Sequence, residues 1–323
     1  MVGIFDDDNP LFLDAYGNRM ITPQVLSMLK ETLFDLASLT KSVATATSVM
    51  ILKERGLIDL NHDISLYLTE FKRKISIFHL LTHTSGLPAW RPLYVEVEHR
   101  SDVVKYLSDL NLEYETGSKV VYSCLGYILL GEMIRKITGL GLDEFADREI
   151  FKPLSMNDTF FNPPENRRED CAATEDSNSF EKRMSNYRDY RWRKGVIVGE
   201  VHDENANFLG GVAGNAGLFS NASDLARFAE MLINGGENIL SPDSIKMIST
   251  IQTPGLNESR GLGWIILQDK TLYHTGFTGT AVWINLERRF FATLLTNRVH
   301  PDATKEGIVD FRQTFYRLIT NNY

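Results

Sequence analysis

The segment 32–53 constrains the fold more than any other stretch of this 323-residue chain. Small and apolar residues run from Ser42 to Leu52 without glycine or proline, which predicts a buried helix. Ser38 lies near the predicted start of this helix, and Lys41 follows one turn later. Because residues three apart share a helix face, we expect the lysine amine to reach the serine hydroxyl. A serine becomes nucleophilic when a nearby base takes its proton, so the two residues are a candidate catalytic pair.

The Ser-x-x-Lys spacing is weak evidence by itself, because it also occurs at Ser27/Lys30 and at Ser179/Lys182. Those two matches lie in amphipathic or polar surroundings, which are typical of a surface serine beside a solvated lysine. The flank of Ser38 is nearly uncharged and would bury its lysine. This difference favours Ser38 over the other two serines.

Composition excludes several classes of function. A formal net charge of −8 and a pI near 5.5 argue against nucleic acid as a partner. No apolar run is long enough to span a bilayer, and residues 1–8 have neither the basic region nor the apolar core of a secretory signal. The two cysteines, Cys124 and Cys171, suit reduced thiols better than a disulfide framework. The sequence therefore predicts a cytoplasmic protein without a membrane span.

Strand patterns cluster near both ends of the chain, and helical patterns lie between them. Short β-rich segments at 2–5 and 11–16 flank a turn at 6–10, and four more occupy 263–268, 272–274, 280–286 and 290–296. This order predicts an α/β (α+β) fold in which both termini build one antiparallel sheet flanked by helices. Residues 1–40 and 205–323 are expected to form the sheet lobe, and residues 41–204 a mostly helical lobe with an irregular excursion at 162–199. A cleft between the lobes would hold the site.

Two further segments carry residues suited to the chemistry of Ser38. Tyr122 precedes a predicted helix at 127–137, where its hydroxyl could enter the cleft and act as a base between cations. The alternative is a buried tyrosine with a satisfied hydroxyl. His274, Thr275, Gly276 and Phe277 end a predicted strand. There the glycine would let a substrate approach, and the Phe277 and Ser38 N–H groups would form an oxyanion hole, unless the segment is only a turn between strands.

These pieces occur in the order Ser38/Lys41, Tyr122, His274-Thr275-Gly276. With the predicted fold, this order resembles the serine β-lactamase and penicillin-binding-protein superfamily. The closest resemblance is to the class C-like branch, which includes esterases and D-amino-acid peptidases. Longer stretches that carry the resemblance are Phe34–Lys41, His79–Pro88, Ile150–Thr159, Gly211–Ser220 and Gly261–Trp264.

The resemblance implies a β-lactamase/transpeptidase-like fold and two-step acyl transfer through an ester on Ser38. Lys41 would activate the serine, Tyr122 would shuttle the proton, and His274 would replace the usual lysine of the third motif. The substrate would be a small molecule or a short peptide, and neither a metal nor an organic cofactor would be required. The first helix of the family's sheet lobe has no counterpart in this sequence, so we expect apolar sheet surface and a homo-oligomer.

Cys124 stands where the second motif usually has asparagine. A thiol is a weak hydrogen-bond donor, which favours ester hydrolysis over the binding of β-lactams or peptide amides. Among active enzymes of this kind, the sequence favours an esterase or a D-amino-acid peptidase over a β-lactamase. It also leaves open a non-catalytic relative that binds a ligand or partner through a decayed site. The sequence is also compatible with Cys124 as the nucleophile, with a metal at His79 and His83, and with a base-orienting pair at His202 and Asp203.

Overall fold

The main sheet joins the two ends of the chain through six antiparallel strands. The computed structural model describes residues 2–6, 9–187, 189–304 and 306–322. Across the sheet the strands are β2 (Asn9–Asp14), β1 (Val2–Asp6), β11 (Phe290–Leu294), β10 (Ala281–Asn285), β9 (Leu272–Thr275) and β8 (Ile265–Ile266). Val2 pairs with Leu294. The predicted sheet built from both termini is confirmed; its turn at 6–10 falls partly on residues 7 and 8, outside the described residues.

Alternation along β10 gives the sheet two apolar faces. Val282 and Ile284 face the large core that contains the central helices. Trp283 faces the other way and packs against Phe315 and Tyr316 of the last helix, with ring centroids 5.5 and 5.8 Å apart. The C-terminal helix therefore covers the outer face of this sheet.

Helices fill most of the chain between the terminal strands. They are α1 (Thr47–Glu54), α2 (Ile77–Leu81), α3 (Leu93–Glu96), α4 (Val103–Asp109), α5 (Cys124–Thr138), α6 (Leu142–Ala146), α7 (Ser179–Ser185), α8 (Glu204–Phe208), α9 (Ala222–Ile233), α10 (Pro242–Ser249) and α11 (Ile308–Asn322). Shorter 3₁₀ segments lie at Ile64–Leu66, Arg100–Asp102 and Glu165–Asp170, and π-helical turns at Lys41–Ala46 and Asp147–Phe151. Within the described ranges, none of these helices has both the length and the apolar character to cross a bilayer.

Two small sheets complete the fold. One pairs β3 (Asn18–Met20) with β4 (Leu26–Ser27), and the other has the order β5 (Phe34–Asp35), β7 (Leu218–Ser220), β6 (Phe160–Phe161). Residues 162–199 contain α7 and one 3₁₀ segment in otherwise irregular chain. The expected lobe boundaries at 40 and 205 stay a prediction.

Candidate active site

Ser38 and Lys41 meet at the junction between β5 and the first helical segment. Ala37 has a φ of 47°, a left-handed conformation that turns the chain before Ser38. The fully buried Lys41 places its Nζ 3.0 Å from Ser38 Oγ and donates a second hydrogen bond to the Asn215 carbonyl at 2.9 Å. The predicted contact between the two side chains is present, although the helix begins with π-helical turns at Lys41 rather than with α-helix at Ser38.

The Lys41 side chain keeps its charge despite its burial. Burial by itself disfavours the ammonium, but the adjacent Cys124 and Tyr122 side chains outweigh that effect and raise the pKa of Lys41 above its ordinary value. The Lys41 Nζ also lies 4.9 Å from the centroid of the Tyr122 ring. Lys41 is therefore a hydrogen-bond donor and a local positive charge at neutral pH.

The Tyr122 hydroxyl is buried and has no hydrogen-bond partner among the described residues. Burial raises the pKa of Tyr122, and the neighbouring Lys41 charge pulls that pKa back down. The structure thus differs from the alternative of a satisfied buried hydroxyl. Tyr122 lies two residues before α5, which begins at Cys124 with Ser123 as its N-cap rather than at the predicted Tyr127.

His274 lies at the end of β9 with its imidazole uncharged. Burial lowers the pKa of His274 well below its usual value, and the Arg260 and Lys41 charges lower it further. Its Nδ1–H donates to the Thr275 carbonyl at 3.0 Å, since a carbonyl can only accept, so Nε2 carries the lone pair. The Nε2 atom is buried without a hydrogen-bond partner within the described chain. Of the predicted cationic or hydrogen-bonding roles, only the second fits this geometry.

The turn after β9 is hydrogen-bonded to the segment that precedes Ser38. The Thr278 and Thr280 hydroxyls donate to the carbonyls of Asp35 and Leu36 at 2.7 and 3.0 Å. A Cβ at Gly276 would lie 2.4 Å from the Leu36 carbonyl oxygen, so this glycine admits the protein's own backbone. The approach of a substrate to Gly276 stays a prediction.

Phe277 follows Gly276 at the site and lies close to Ser38 around one cavity. Neither the Phe277 nor the Ser38 backbone N–H donates a hydrogen bond to another described residue. Two unpaired N–H donors beside a candidate nucleophile are the arrangement that an oxyanion hole requires. The binding of one oxyanion by both groups stays a prediction.

A cavity of about 270 Å³ opens onto Ser38. Its lining residues are Ala37, Ser38, Trp90, Tyr122, Cys124, Phe180, Glu181, Met184, His202, Asp203, Ala216 and Phe277. Cys124 is a free thiol on this wall, and burial raises its pKa, so it is held as a thiol rather than a nucleophilic thiolate. Phe180, Glu181 and Met184 on this wall belong to α7.

Sequence reasoning missed several residues that build this site. Asp35 accepts from the N–H groups of Ala37 and His202 at 2.8 and 2.7 Å, which ties the Ser38 turn to the 202–203 segment. Trp90 and Glu181 lie outside the motif stretches. Asn215 lies within the 211–220 stretch, but its role depends on the tertiary contact of its carbonyl with Lys41.

His79, His83, His202 and Asp203 make structural contacts. His202 pairs with Glu175 at 2.9 Å, and Asp203 caps α8. His79 contacts its helix N-cap Ser76 at 2.8 Å, and His83 is buried beside Tyr122. Within the part of the chain that the structure describes, no group of three or more His, Cys, Asp or Glu side chains could hold a metal ion.

Comparisons with known proteins agree with this geometry. The family model described as Beta-lactamase matches residues 1–313. An N-acetylmuramyl-L-alanine amidase of Bacillus subtilis (strain 168) is 34% identical over 326 residues, which cover 88% of this chain and 72% of the relative.

Solved structures show the same fold. EstCE1, a hydrolase with promiscuous acyltransferase activity, has a TM-score of 0.72 at 21% identity and covers 92% of this chain and 87% of its own. The octameric penicillin-binding protein homologue from Pyrococcus abyssi has a TM-score of 0.71 at 22% identity, covering 97% and 76%. The family match and the amidase relative show that this chain belongs to the Beta-lactamase family and is one of its serine hydrolases.

Proposed function

We propose that Ser38 is the nucleophile of a two-step acyl transfer that cleaves an ester or an amide. The observation that carries this proposal is the 3.0 Å contact between Ser38 Oγ and a fully buried, charged Lys41 at a cavity of substrate size. We assign the base to Tyr122, because the raised pKa of Lys41 favours its ammonium form and this charge favours the Tyr122 phenolate. Burial still holds the pKa of Tyr122 above its usual value, so the phenolate is the minor form at neutral pH.

The proposed steps conserve atoms and protons. Ser38 Oγ attacks the substrate carbonyl carbon as its proton passes to the Tyr122 phenolate. The Ser38 and Phe277 N–H groups hold the oxyanion, and collapse breaks the bond to the leaving group, which takes the proton from Tyr122. Water then attacks the ester on Ser38 by the same proton route, releasing the carboxylic acid and restoring the serine. General base catalysis of this kind contributes roughly 10²–10⁴ to the rate.

We propose esters or D-amino-acid amides as substrates, rather than β-lactams. Cys124 lines the cavity where an amide side chain would otherwise offer two strong donors to a substrate carbonyl. His274 is neutral, so it lacks the charge that would bind a substrate carboxylate. The amidase name of the Bacillus relative and the hydrolase title of EstCE1 support this range of substrates.

Intact-protein mass spectrometry tests the role of Ser38. Wild type is incubated with an activated ester, a penicillin and a serine-directed phosphonate, beside Ser38→Ala. Ser27→Ala is the matched control, because Ser27 is an exposed serine with a lysine at the same spacing. We expect one adduct per chain on wild type and on Ser27→Ala, and none on Ser38→Ala. Folded wild type that forms no adduct with any reagent would instead favour a non-catalytic ligand- or partner-binding protein.

We also propose that the chain is a homo-oligomer that works in the cytoplasm. The exposed apolar side chains of Leu11 and Phe12 on edge strand β2, and the octameric homologue from Pyrococcus abyssi, support assembly. Both cysteines are free thiols, which supports a reducing compartment.

A further inference from the structure

The cavity at Ser38 has a distinctive combination of wall residues. Trp90, Phe180, Met184 and Phe277 supply apolar and aromatic surface. Glu181 and Asp203 supply two carboxyl groups, and no lysine or arginine is among the described residues that line the cavity. A substrate carboxylate would therefore meet like charge here, and a substrate cation would meet opposite charge.

Glu181, like Tyr122 on the same wall, has incomplete hydrogen bonding. It belongs to α7 and is 7% exposed. Its Oε1 accepts from the Glu204 N–H at 2.9 Å, but its Oε2 has no hydrogen-bond partner among the described residues. Leaving a buried carboxyl oxygen without a donor is unfavourable, so a ligand that donates a hydrogen bond there would be favoured.

Asp203 adds a second carboxyl group that faces both Glu181 and the candidate catalytic residues. Burial raises the pKa of Glu181, and the Asp203 charge raises it further, which favours the protonated Glu181 carboxyl when no cation is bound. A cation held between the two carboxyl groups would favour the ionised form of Glu181 instead. The same Asp203 charge contributes to the raised pKa values of Lys41 and Cys124, after the larger effects of burial and closer neighbours. Asp203 is therefore near enough to both groups to act on a ligand between them.

Arg193, whose charge acts on Glu181, already has other partners. It bonds Glu204 at 2.8 Å and donates to the Val201 and His202 carbonyls at 2.7 and 2.8 Å. Its charge is thus matched by Glu204. Asp203 uses Oδ1 to accept from the Ala206 N–H at 2.7 Å, so Glu181 Oε2 is the oxygen of this pair most open to a group that enters the cavity.

We propose that this cavity binds an apolar acyl group that carries an ammonium, with the ammonium at Glu181 and Asp203 and the hydrocarbon part against Trp90, Phe180 and Phe277. An ammonium offers three donors, and aromatic faces favour a nearby cation. The substrate class is therefore aminoacyl esters or amides, rather than acyl groups that end in a carboxylate. This inference rests on the proposed role of Ser38.

Three p-nitrophenyl esters of closely similar shape test the substrate class: phenylalanyl, 3-phenylpropanoyl and benzylmalonyl. They differ in carrying an ammonium, no charge or a carboxylate, and Ser38→Ala gives the uncatalysed background. We expect wild type to have its highest kcat/KM on the ammonium ester. Glu181→Gln and Asp203→Asn, which retains a helix-capping side chain, should each lower the ammonium-to-neutral preference by about tenfold.

Glu165→Gln is the matched control, because it makes the same change at an exposed glutamate of the same excursion. It should leave both the preference and the rate unchanged. The inference is overturned if the ammonium-to-neutral preference in both Glu181→Gln and Asp203→Asn stays within twofold of the wild-type value. It is also overturned if wild type favours the carboxylate ester.

A binding measurement separates this inference from the proposed reaction. Calorimetric titration of Ser38→Ala with phenethylammonium and with 2-phenylethanol needs no turnover. Tighter binding of the ammonium, lost in Ser38→Ala/Glu181→Gln, supports the cavity assignment even if no ester is hydrolysed and the reaction proposal fails. Hydrolysis at Ser38 with equal binding of the two probes overturns the cavity assignment and leaves the reaction standing.

Discussion

At the scale of single residues, His83 fixes the position of Tyr122 from both sides. The His83 carbonyl accepts from the Val121 N–H at 2.9 Å, and its Nδ1 accepts from the Ser123 N–H at 3.0 Å. The His83 ring lies 4.5 Å from the Tyr122 ring, centroid to centroid. Burial, then the Arg260 and Lys41 charges, lower the pKa of His83 well below its usual value, so it stays neutral. His83 is thus a positioning residue for the proposed base.

Replacement of His83 by asparagine and by phenylalanine separates its hydrogen bond to the Ser123 N–H from its ring contact with Tyr122. His83 has a φ of 58°, which asparagine tolerates and phenylalanine does not. Asparagine can also offer an amide oxygen to the Ser123 N–H, whereas phenylalanine restores only the ring. We expect His83→Phe to lower kcat by about tenfold or more and to move the alkaline limb of the pH–rate profile, because an unpaired buried N–H is unfavourable by roughly 1–3 kcal/mol.

Rescue by asparagine is the outcome that distinguishes positioning from general destabilisation. His83→Asn should recover most of kcat and the wild-type pH profile, with KM nearly unchanged. If His83→Phe keeps the wild-type pH profile, or if the two variants lose kcat equally, His83 has no specific effect on Tyr122. Thermal unfolding of each variant checks that it is folded at the assay temperature.

The residues that the sequence identified are those whose partners are close in the chain or belong to a distinct motif. The Ser38–Lys41 contact follows from helical spacing and a buried flank, so it could be predicted. The contacts of His83 with Ser123 and of Asn215 with Lys41 could not be predicted, because they join residues 40 and 174 positions apart. Such pairs are set by packing between elements, which no local pattern encodes.

At the scale of elements, α5 and the loop at 210–217 pack through facing glycines. A Cβ at Gly131 would lie 2.9 Å from the Gly214 nitrogen, and a Cβ at Gly214 would lie 1.9 Å from the Tyr127 carbonyl oxygen. The Gly214 carbonyl accepts from the Thr45 hydroxyl at 2.7 Å, and the next residue, Asn215, accepts from Lys41. This close contact sets where the Lys41 amine is held.

Gly131→Ala should therefore lower both stability and activity. A methyl group has no room beside the backbone of Gly214, and overpacking of this kind costs about 1–3 kcal/mol, more than the roughly 1 kcal/mol that alanine gains in a helix. Urea unfolding measures the loss, and kcat/KM on an activated ester measures the displacement of Lys41.

Gly126→Ala on the same helix is the control for that substitution. Its new methyl would meet the Leu80 side chain at 3.2 Å, and a side chain can move where a backbone cannot. We expect a smaller loss of stability than for Gly131→Ala, and little loss of activity. Equal losses at the two positions would mean that the glycine contact does not govern Lys41.

Strands with a long sequence pattern are predicted correctly, apart from their exact bounds. Several strands of two or three residues are not predicted. Four C-terminal strands are expected from their β-rich composition, and all four are present; three have shorter bounds than predicted, and β9 is one residue longer. The sheet of β5, β6 and β7 is not predicted, because two or three residues show no periodicity. Its pairing of β5 with β7 joins residues more than 100 positions apart.

At the scale of the whole molecule, helices cover both faces of the sheet at β10, and strands β2 and β8 form its edges. The C-terminal helix covers Trp283 on the outer face. Strand β2 lies at the sheet edge and pairs with β1 alone among the described strands. Leu11 and Phe12 on this strand are 44% and 38% exposed, and Tyr16 just beyond it is 62% exposed.

An open edge with exposed apolar side chains favours pairing with another chain, because unpaired backbone groups and apolar surface are satisfied together. We therefore expect light scattering across a concentration series to give a mass of at least twice the 36.7 kDa chain. Phe12→Lys should weaken the association constant about tenfold or more, since charge on an edge strand opposes pairing.

Leu66→Lys is the control, because Leu66 is 63% exposed but lies on a 3₁₀ segment rather than on the sheet edge. It should leave the mass unchanged. A monomer mass at every concentration would show that the exposed β2 edge does not cause association. An oligomer insensitive to Phe12→Lys would move the interface to another surface, of which the exposed Val309, Phe311 and Leu318 side chains of α11 are the next to test.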